Sequence, residues 1–439
     1  MSNETELSRA KVTSQRPLLR ATILLLLIAG SLRAESLDAL VDQALSSNRE
    51  LRAARLRWEA MREKPAIVGA LPDPMVTYGY FFEKVQTRVG AQNQRVTLSQ
   101  KFPYPGKLID ARRVASKEAL ILMWKYQIAI RDVILRVKLG YYDLYRVDQS
   151  ARILREQRDL IESIVTSARQ EFEAGKSQLQ DVLKAGLELD ELQSRLLTLE
   201  QQRAGVVARL NALRDLPPKS KIPTVTKLPL RPLLPERDLY PVALLYRQEL
   251  RAAGVAVERD QSSLDLAKKN WIPDVTLGMD YTQVNDNVFA DVPGNGQDIV
   301  LGFFSINIPI WFDKLGAERE MARKNLAASK ETVNDLFRQT QADVRYSWAQ
   351  AQSFQDQVAL YRNSLIPQAE DTYKASQAAY TTAKTDLISL LDSERSLLAT
   401  RLGLVLMQAQ LGKSLAELER AVGVDLQNVP AVSKKPSHE

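Results

Sequence analysis

Residues 172–183, FEAGKSQLQDVL, and residues 380–391, YTTAKTDLISLL, carry one pattern at an offset of 208. Phe172 aligns with Tyr380, Lys176 with Lys384, Ser177 with Thr385, Leu179 with Leu387 and Leu183 with Leu391. Each copy lies in a stretch with almost no helix-breaking residues, and this combination restricts the fold more than any other feature. Between Leu108 and Leu216 only Gly140, Gly175, Gly186 and Gly205 interrupt the pattern. At about 1.5 Å per residue, residues 108–174 alone make a rod of about 100 Å, too long for a globular core and suited to a coiled coil. Leu192, Leu199, Val206 and Leu213 recur every seven residues, with Leu189, Leu196 and Leu210 on the companion track, as a coiled-coil seam requires. Gly175 is the expected turn between a descending and an ascending helix. Leu390, Leu397, Leu404 and Leu411 repeat the step of seven in the second copy.

The segments before the rods double as well. Ser36 to Lys64 has helical periodicity, with Ser36 as N-cap, and Pro65 and LPDP (71–74) are expected to end it. Alternation of period two then predicts strands at about 75–84 and 94–102, where Val96, Leu98 and Phe102 oppose Arg95, Thr97, Ser99 and Lys101. A proline-rich linker, 216–235, separates this first repeat (35–215) from a second (236–423). There a helix at 238–269 leads through WIPDV to strands at about 275–284 and 299–310. IPIWFDKLGAERE then answers FPYPGKLIDARR and opens a hairpin over 316–421, with its tip near Ala383. The plan is a tandem duplication of helix, β-hairpin and long coiled-coil hairpin.

ATILLLLIA (21–29) is too short to span a bilayer. Arg16 and Arg20 precede it and small residues follow, the layout of a secretory signal peptide over 1–34, cleaved after Ser31 or Ala34. Removing it lowers the net charge from +7 to +4, with basic and acidic residues interleaved, which argues against nucleic acid as a partner. The chain lacks cysteine, and its one histidine, His438, sits in a polar tail (424–439) expected to be disordered. With no thiol, no usable imidazole, no Gly-rich phosphate loop and no GxSxG, an enzyme is not expected, nor a cofactor or a metal site.

Four alternating strands with an aromatic face cannot bury that face alone. Either they pack on helices, as in an exported α+β protein, or several chains close one barrel. The LPDP and IPDV lead-ins, the FPYPGKL exit and the paired tip motifs resemble the TolC family of outer-membrane efflux channels, over nearly the whole mature chain. SQKFPYPGK and LPDPM further resemble its heavy-metal branch, the CusC and CzcC type. The resemblance implies a mainly α homotrimer. Its twelve-stranded transmembrane β-barrel lies in the Gram-negative outer membrane, against outer-membrane lipid, and continues as a periplasmic α-helical barrel. The implied partners are a periplasmic adaptor (membrane fusion protein) and an inner-membrane pump of the RND type, and heavy-metal cations are one implied cargo.

By the same resemblance, Gly175, Lys176, Ser177, Leu179, Ala383, Lys384, Thr385 and Leu387 form adaptor-docking tips. Leu179, Leu183, Leu387 and Leu391 are expected to re-enter the seam. The pore gate would comprise Asp181 accepting a hydrogen bond from Tyr380, with Lys384 standing in for a basic residue that falls on Thr385, and an acidic ring at Asp392. A second acidic ring position falls on Ser389. The alternatives are a periplasmic adaptor, which needs one hairpin with flanking β domains, and a structural envelope coiled coil without a pore.

Overall fold

The computed structural model describes residues 36–175, 177–289, 292–382 and 384–428. The segment read as a signal peptide, residues 429–439 of the tail, and the tip residues Lys176 and Ala383 lie outside these. The first repeat comprises α1 (Leu37–Ser47), α2 (Arg49–Val68), β1 (Met75–Tyr80), β2 (Gln86–Thr87), β3 (Gly90–Phe102), α3 (Pro105–Glu173) and α4 (Leu179–Leu213). The second comprises α5 (Glu236–Tyr246), α6 (Gln248–Lys269), β4 (Val275–Asn285), β5 (Ile299–Ile306), α7 (Phe312–Leu360), a π-turn (Tyr361–Leu365), α8 (Ile366–Thr381) and α9 (Leu387–Val422).

Both leading helices are broken, where a single helix was expected from each. The breaks fall at Asn48 and Arg247, whose backbones are extended at φ −61°, ψ 124° and φ −62°, ψ 121°. They begin the related strings NRELRAA and RQELRAA. Each break docks the far end of its own repeat. Asn48 caps α2 by accepting from the Leu51 N–H (3.1 Å) and donates to the Leu213 carbonyl at the end of α4 (2.9 Å). Gln248 donates to the carbonyl of Gly423 (2.8 Å), which ends α9 in the left-handed region at φ 86°. A side chain at Gly423 would strike the Arg247 backbone at 2.8 Å. Local chemistry thus closes each repeat into a loop.

Pro65 does not end α2, which continues to Val68; it lies in the last turn, where its carbonyl accepts from the capping Gly69 N–H. Pro367 has a larger effect in the second long helix. It follows a π-turn, in which the Ile366 N–H reaches back to the Tyr361 carbonyl and the helix takes in an extra residue. β5 stops at Ile306 rather than 310, short of Pro309. Residues 424–428, placed in the tail, are ordered into a short turn with Leu426 buried.

The strands form one antiparallel sheet, ordered β1-β3-β4-β5, with β2 on a spur of β3. The central β3–β4 pairing joins the two repeats. α2 and α6 enter the sheet, and α3 and α7 leave it, all at one end, so the hairpin tips lie at the opposite pole. The buried core is helical: Leu40, Val133, Leu144, Ile161, Leu192 and Leu210 are essentially inaccessible, each contributing roughly 1.5–3 kcal/mol of apolar burial.

Candidate functional site

The sheet has two unlike faces. In register across it, Val76 meets Leu98, Tyr78 meets Val96, and Met279 and Tyr281 continue from Leu98 and Val96 on β4. Leu277 then meets Phe304, and Val275 meets Ile306, on β5. This face is mainly apolar and exposed, with Gln94 and Gln283 at one end and Gln100 at the other, an arrangement that water does not favour at this size. On the other face Thr97 donates to the Asp280 carboxylate (2.6 Å), with Arg95 at 3.6 Å from the same group. Lys101 and Lys107 both reach Asp274, at 3.1 and 2.7 Å. Both carboxylates are therefore paired, and the second lysine at Asp274 leaves the cluster with one excess positive charge. Its one aromatic, Phe303, lies over Gly278, where a Cβ would stand 2.2 Å from the ring.

β1 and β5 are both edges, each with one side unpaired. A greasy face, a wet face and two open edges make a wall segment that copies of itself can complete. Trp271 stacks on Phe312 (5.9 Å), and Trp311 is exposed beside them, at the junction of strands and helices, the height at which membrane barrels carry aromatic girdles. Among the described residues no helix is long and apolar enough to cross a membrane.

At the opposite pole, Gly175 turns the first hairpin at φ 67° with open space around it. Ser177 ties the turn back by donating to the Ala168 carbonyl (3.3 Å). Asp181 is occupied locally: with Gln178 it forms a capping box on α4, accepting from the Gln178 N–H at 3.4 Å. Tyr380 does not bond to it. The phenol donates instead to Glu171 on α3 (3.1 Å), joining the two hairpins. Burial, then the charge and hydrogen bond of Glu171, push the Tyr380 phenol up to about 12, with the nearby Asp181 charge adding to the effect.

In the second tip the Lys384 N–H donates to the Ala379 carbonyl (2.8 Å), while its side chain is exposed and Thr385 is half-buried. Asp386 caps α9 by accepting from the Ser389 N–H (2.9 Å). Its carboxyl is held low by the Ser389 side chain first and that backbone bond second, with Lys184 across the seam helping. Asp392 is exposed, and its charge adds to that of Glu188, whose hydrogen bond is the main cause that raises the Arg395 guanidinium. The four leucines divide. Leu387 and Leu391 are buried at 2% and 3%, whereas Leu179 and Leu183 are 52% and 65% exposed. They stand with Leu187 on a stripe facing away from the buried face of Ala185, Leu192 and Leu196.

Glu171 and Asp386 were not singled out from the sequence. The Asp386-to-Ser389 spacing ahead of a leucine run is a legible N-cap; Glu171 gives no such signal, because its partner belongs to the other hairpin.

Comparison with known proteins follows the same division. The chain is similar in fold to the outer membrane channel CmeC of Campylobacter jejuni (15% identity, TM-score 0.74, covering 88% of this chain and 85% of that one). It is similar to the Neisseria gonorrhoeae MtrE channel in its open state (17%, 0.74, covering 89% of each) and to CusC (17%, 0.74, covering 88% and 92%). No curated protein sequence matches the chain. The family model for outer membrane efflux proteins matches residues 40–214 and 239–424, which are the two repeats. The chain belongs to the outer membrane efflux protein family, a family of transport proteins rather than enzymes.

Proposed function

We propose that three copies of this chain form the outer-membrane channel of a tripartite efflux system, passively conducting what an inner-membrane pump delivers across the periplasm and outer membrane. The observation that carries this reading is the two-faced, open-edged sheet. With four strands per copy, besides the two-residue spur β2, two copies would close about eight, whose interior side chains fill; three copies close about twelve around water. The central strands β4 and β3, at 11 and 13 residues, reach the roughly 9–11 that a tilted membrane strand needs, while the edge strands β1 and β5, at 6 and 8, are shorter.

The tips are the proposed contact with a periplasmic adaptor. Leu179 and Leu183 offer apolar surface there, and Ser177, Lys384 and Thr385 offer polar groups beside the turns. Lys176 and Ala383 complete the repeated motif in sequence. Leu387 contributes from beneath, by anchoring the second tip. Asp392 and Lys384 remain the proposed charged groups of the aperture, with Tyr380 holding the hairpins together and Asp181 supporting its helix end. An RND-type pump fits the same assignment. Heavy-metal cations as cargo rest on the LPDPM and SQKFPYPGK wording alone. On this reading the choice of cargo is made by the pump.

Membrane fractionation after deletion and re-expression tests the assignment. A heat-modifiable oligomer of three chains in the outer membrane, with export restored on complementation, is expected; a periplasmic monomer would contradict it. Unchanged metal tolerance on deletion, with drug export lost, would remove the metal cargo only.

A further inference from the structure

Just inside the tips, the seam between α4 and α9 buries two carboxylates. Glu188 on α4 and Glu394 on α9 are each 1% exposed. Glu188 is matched, accepting from Arg395 Nε at 2.6 Å. Glu394 is not: neither of its oxygens has a hydrogen-bond partner among the described residues. It lies among Leu390, Leu391 and Leu398 of α9, which belong to one buried cluster with Ala185 and Leu192 of α4 and Ile161 and Ala168 of α3. A buried carboxylate without a partner is costly when charged and tolerable when neutral.

The charged groups around it are committed elsewhere. From α4 come Glu188 and Arg195, the latter 3.8 Å from Glu191. From α9 come Arg395, held by Glu188, and Arg401, which bonds Glu370 of α8 at 2.9 Å. α8 also places Tyr373 close enough for the Glu394 charge to raise its phenol. Of the other helices on α9, α3 brings the apolar Ile161 and Ala168 to this cluster, and α5 and α7 pack at its far end around Leu411, Leu415 and Leu418.

We propose that Glu394 is a protonation-controlled lock between the two hairpins: neutral, it lets α9 close on α4; ionised beside Glu188, it drives the seam and the tips apart. The consequence for a pore rests on the channel reading; the movement of the tips does not. Burial, then the Glu188 charge, push the Glu394 carboxyl up to about 7 against the pull of the arginines, from an ordinary 4.5. Between those values the closed seam holds a proton that a solvated Glu394 has released. Closure is therefore strongest at low pH, weakens as pH rises through this window and levels off above about 7. Full solvation on opening corresponds to an open-to-closed ratio rising up to about 300-fold.

Because the chain has no cysteine, single cysteines at the exposed Gln180 and Ser389 allow spin labels on the two tips of the purified full-length protein. Pulsed electron–electron distances should lengthen between pH 5 and pH 8. Glu394→Gln should hold the short distance at both, and Glu394→Leu serves if the amide variant folds poorly. Asp190→Asn, which removes an exposed carboxylate of α4, should keep the response. A pH response unchanged in Glu394→Gln and Glu394→Leu, or a wild type that does not move, overturns the proposal. A protein that shows the Glu394-dependent shift yet never conducts overturns the channel reading and leaves the lock standing; one that conducts with a flat distance profile does the reverse.

Discussion

The hydroxyl of Tyr380 on α8 donates to the carboxylate of Glu171 on α3 at 3.1 Å, bridging hairpins that belong to different repeats and lie 209 positions apart. Its removal by Tyr380→Phe should raise single-channel conductance and cost about 0.5–1.5 kcal/mol of stability. Asp181→Ala should instead cost about 1 kcal/mol through the lost cap and change conductance less. Comparing the two variants in bilayers and by denaturation checks which carboxylate holds the tyrosine.

The same bridge should be insensitive to pH between 6 and 9. The Tyr380 phenol is pushed up to about 12, so it stays neutral through that range and its contribution is lost only as pH rises from about 10 through 12. Melting of wild type and Tyr380→Phe should run parallel from pH 6 to pH 9.

The duplication, the sheet and the two hairpins were legible because each rests on periodicity within one segment. Val96, Leu98 and Phe102 fixed the greasy face of β3 by alternation alone. What escaped depends on contacts between segments or on single backbone positions. The breaks at Asn48 and Arg247 sit in strings that read as continuous helix, and only their docking onto Leu213 and Gly423 makes an extended residue stable there. Leu179 and Leu387 occupy equivalent places in the motif, yet only Leu387 is buried. Which face of a helix meets its neighbour is decided by tertiary packing, so equivalent sequences separate. Glu394 aligns with Gly186 in the other copy, and nothing local marks it as buried.

Two glycine substitutions should move stability in opposite directions. In α9 a Cβ at Gly412 would stand 2.5 Å from the buried Tyr142 ring. Gly412→Ala therefore loses about 1–3 kcal/mol to overpacking, more than the roughly 1 kcal/mol that helix propensity returns. Gly205, on α4, has open space around its Cβ position, and Gly205→Ala should stabilise by up to about 1 kcal/mol. Denaturant midpoints of the two variants against wild type decide the matter.

Charge on the two faces of β3 should have unequal effects. Leu98→Arg places a guanidinium on the apolar face and should cost about 2–4 kcal/mol in the membrane, seen as lost outer-membrane assembly. Asp280→Asn removes the counter-charge of Arg95 from the polar face. It should assemble normally and shift the reversal potential toward anion selectivity.

The central claim is that the polar face of the sheet lines water and the apolar face meets lipid. It is tested most directly by recording purified protein in planar bilayers while a charged thiol reagent is added to Thr97→Cys or Leu98→Cys, adjacent positions on opposite faces. The account predicts a stable conductance in both, a stepwise change on modifying Thr97→Cys, and none for Leu98→Cys. Equal modification of both positions, or no conductance from the folded oligomer, would contradict it.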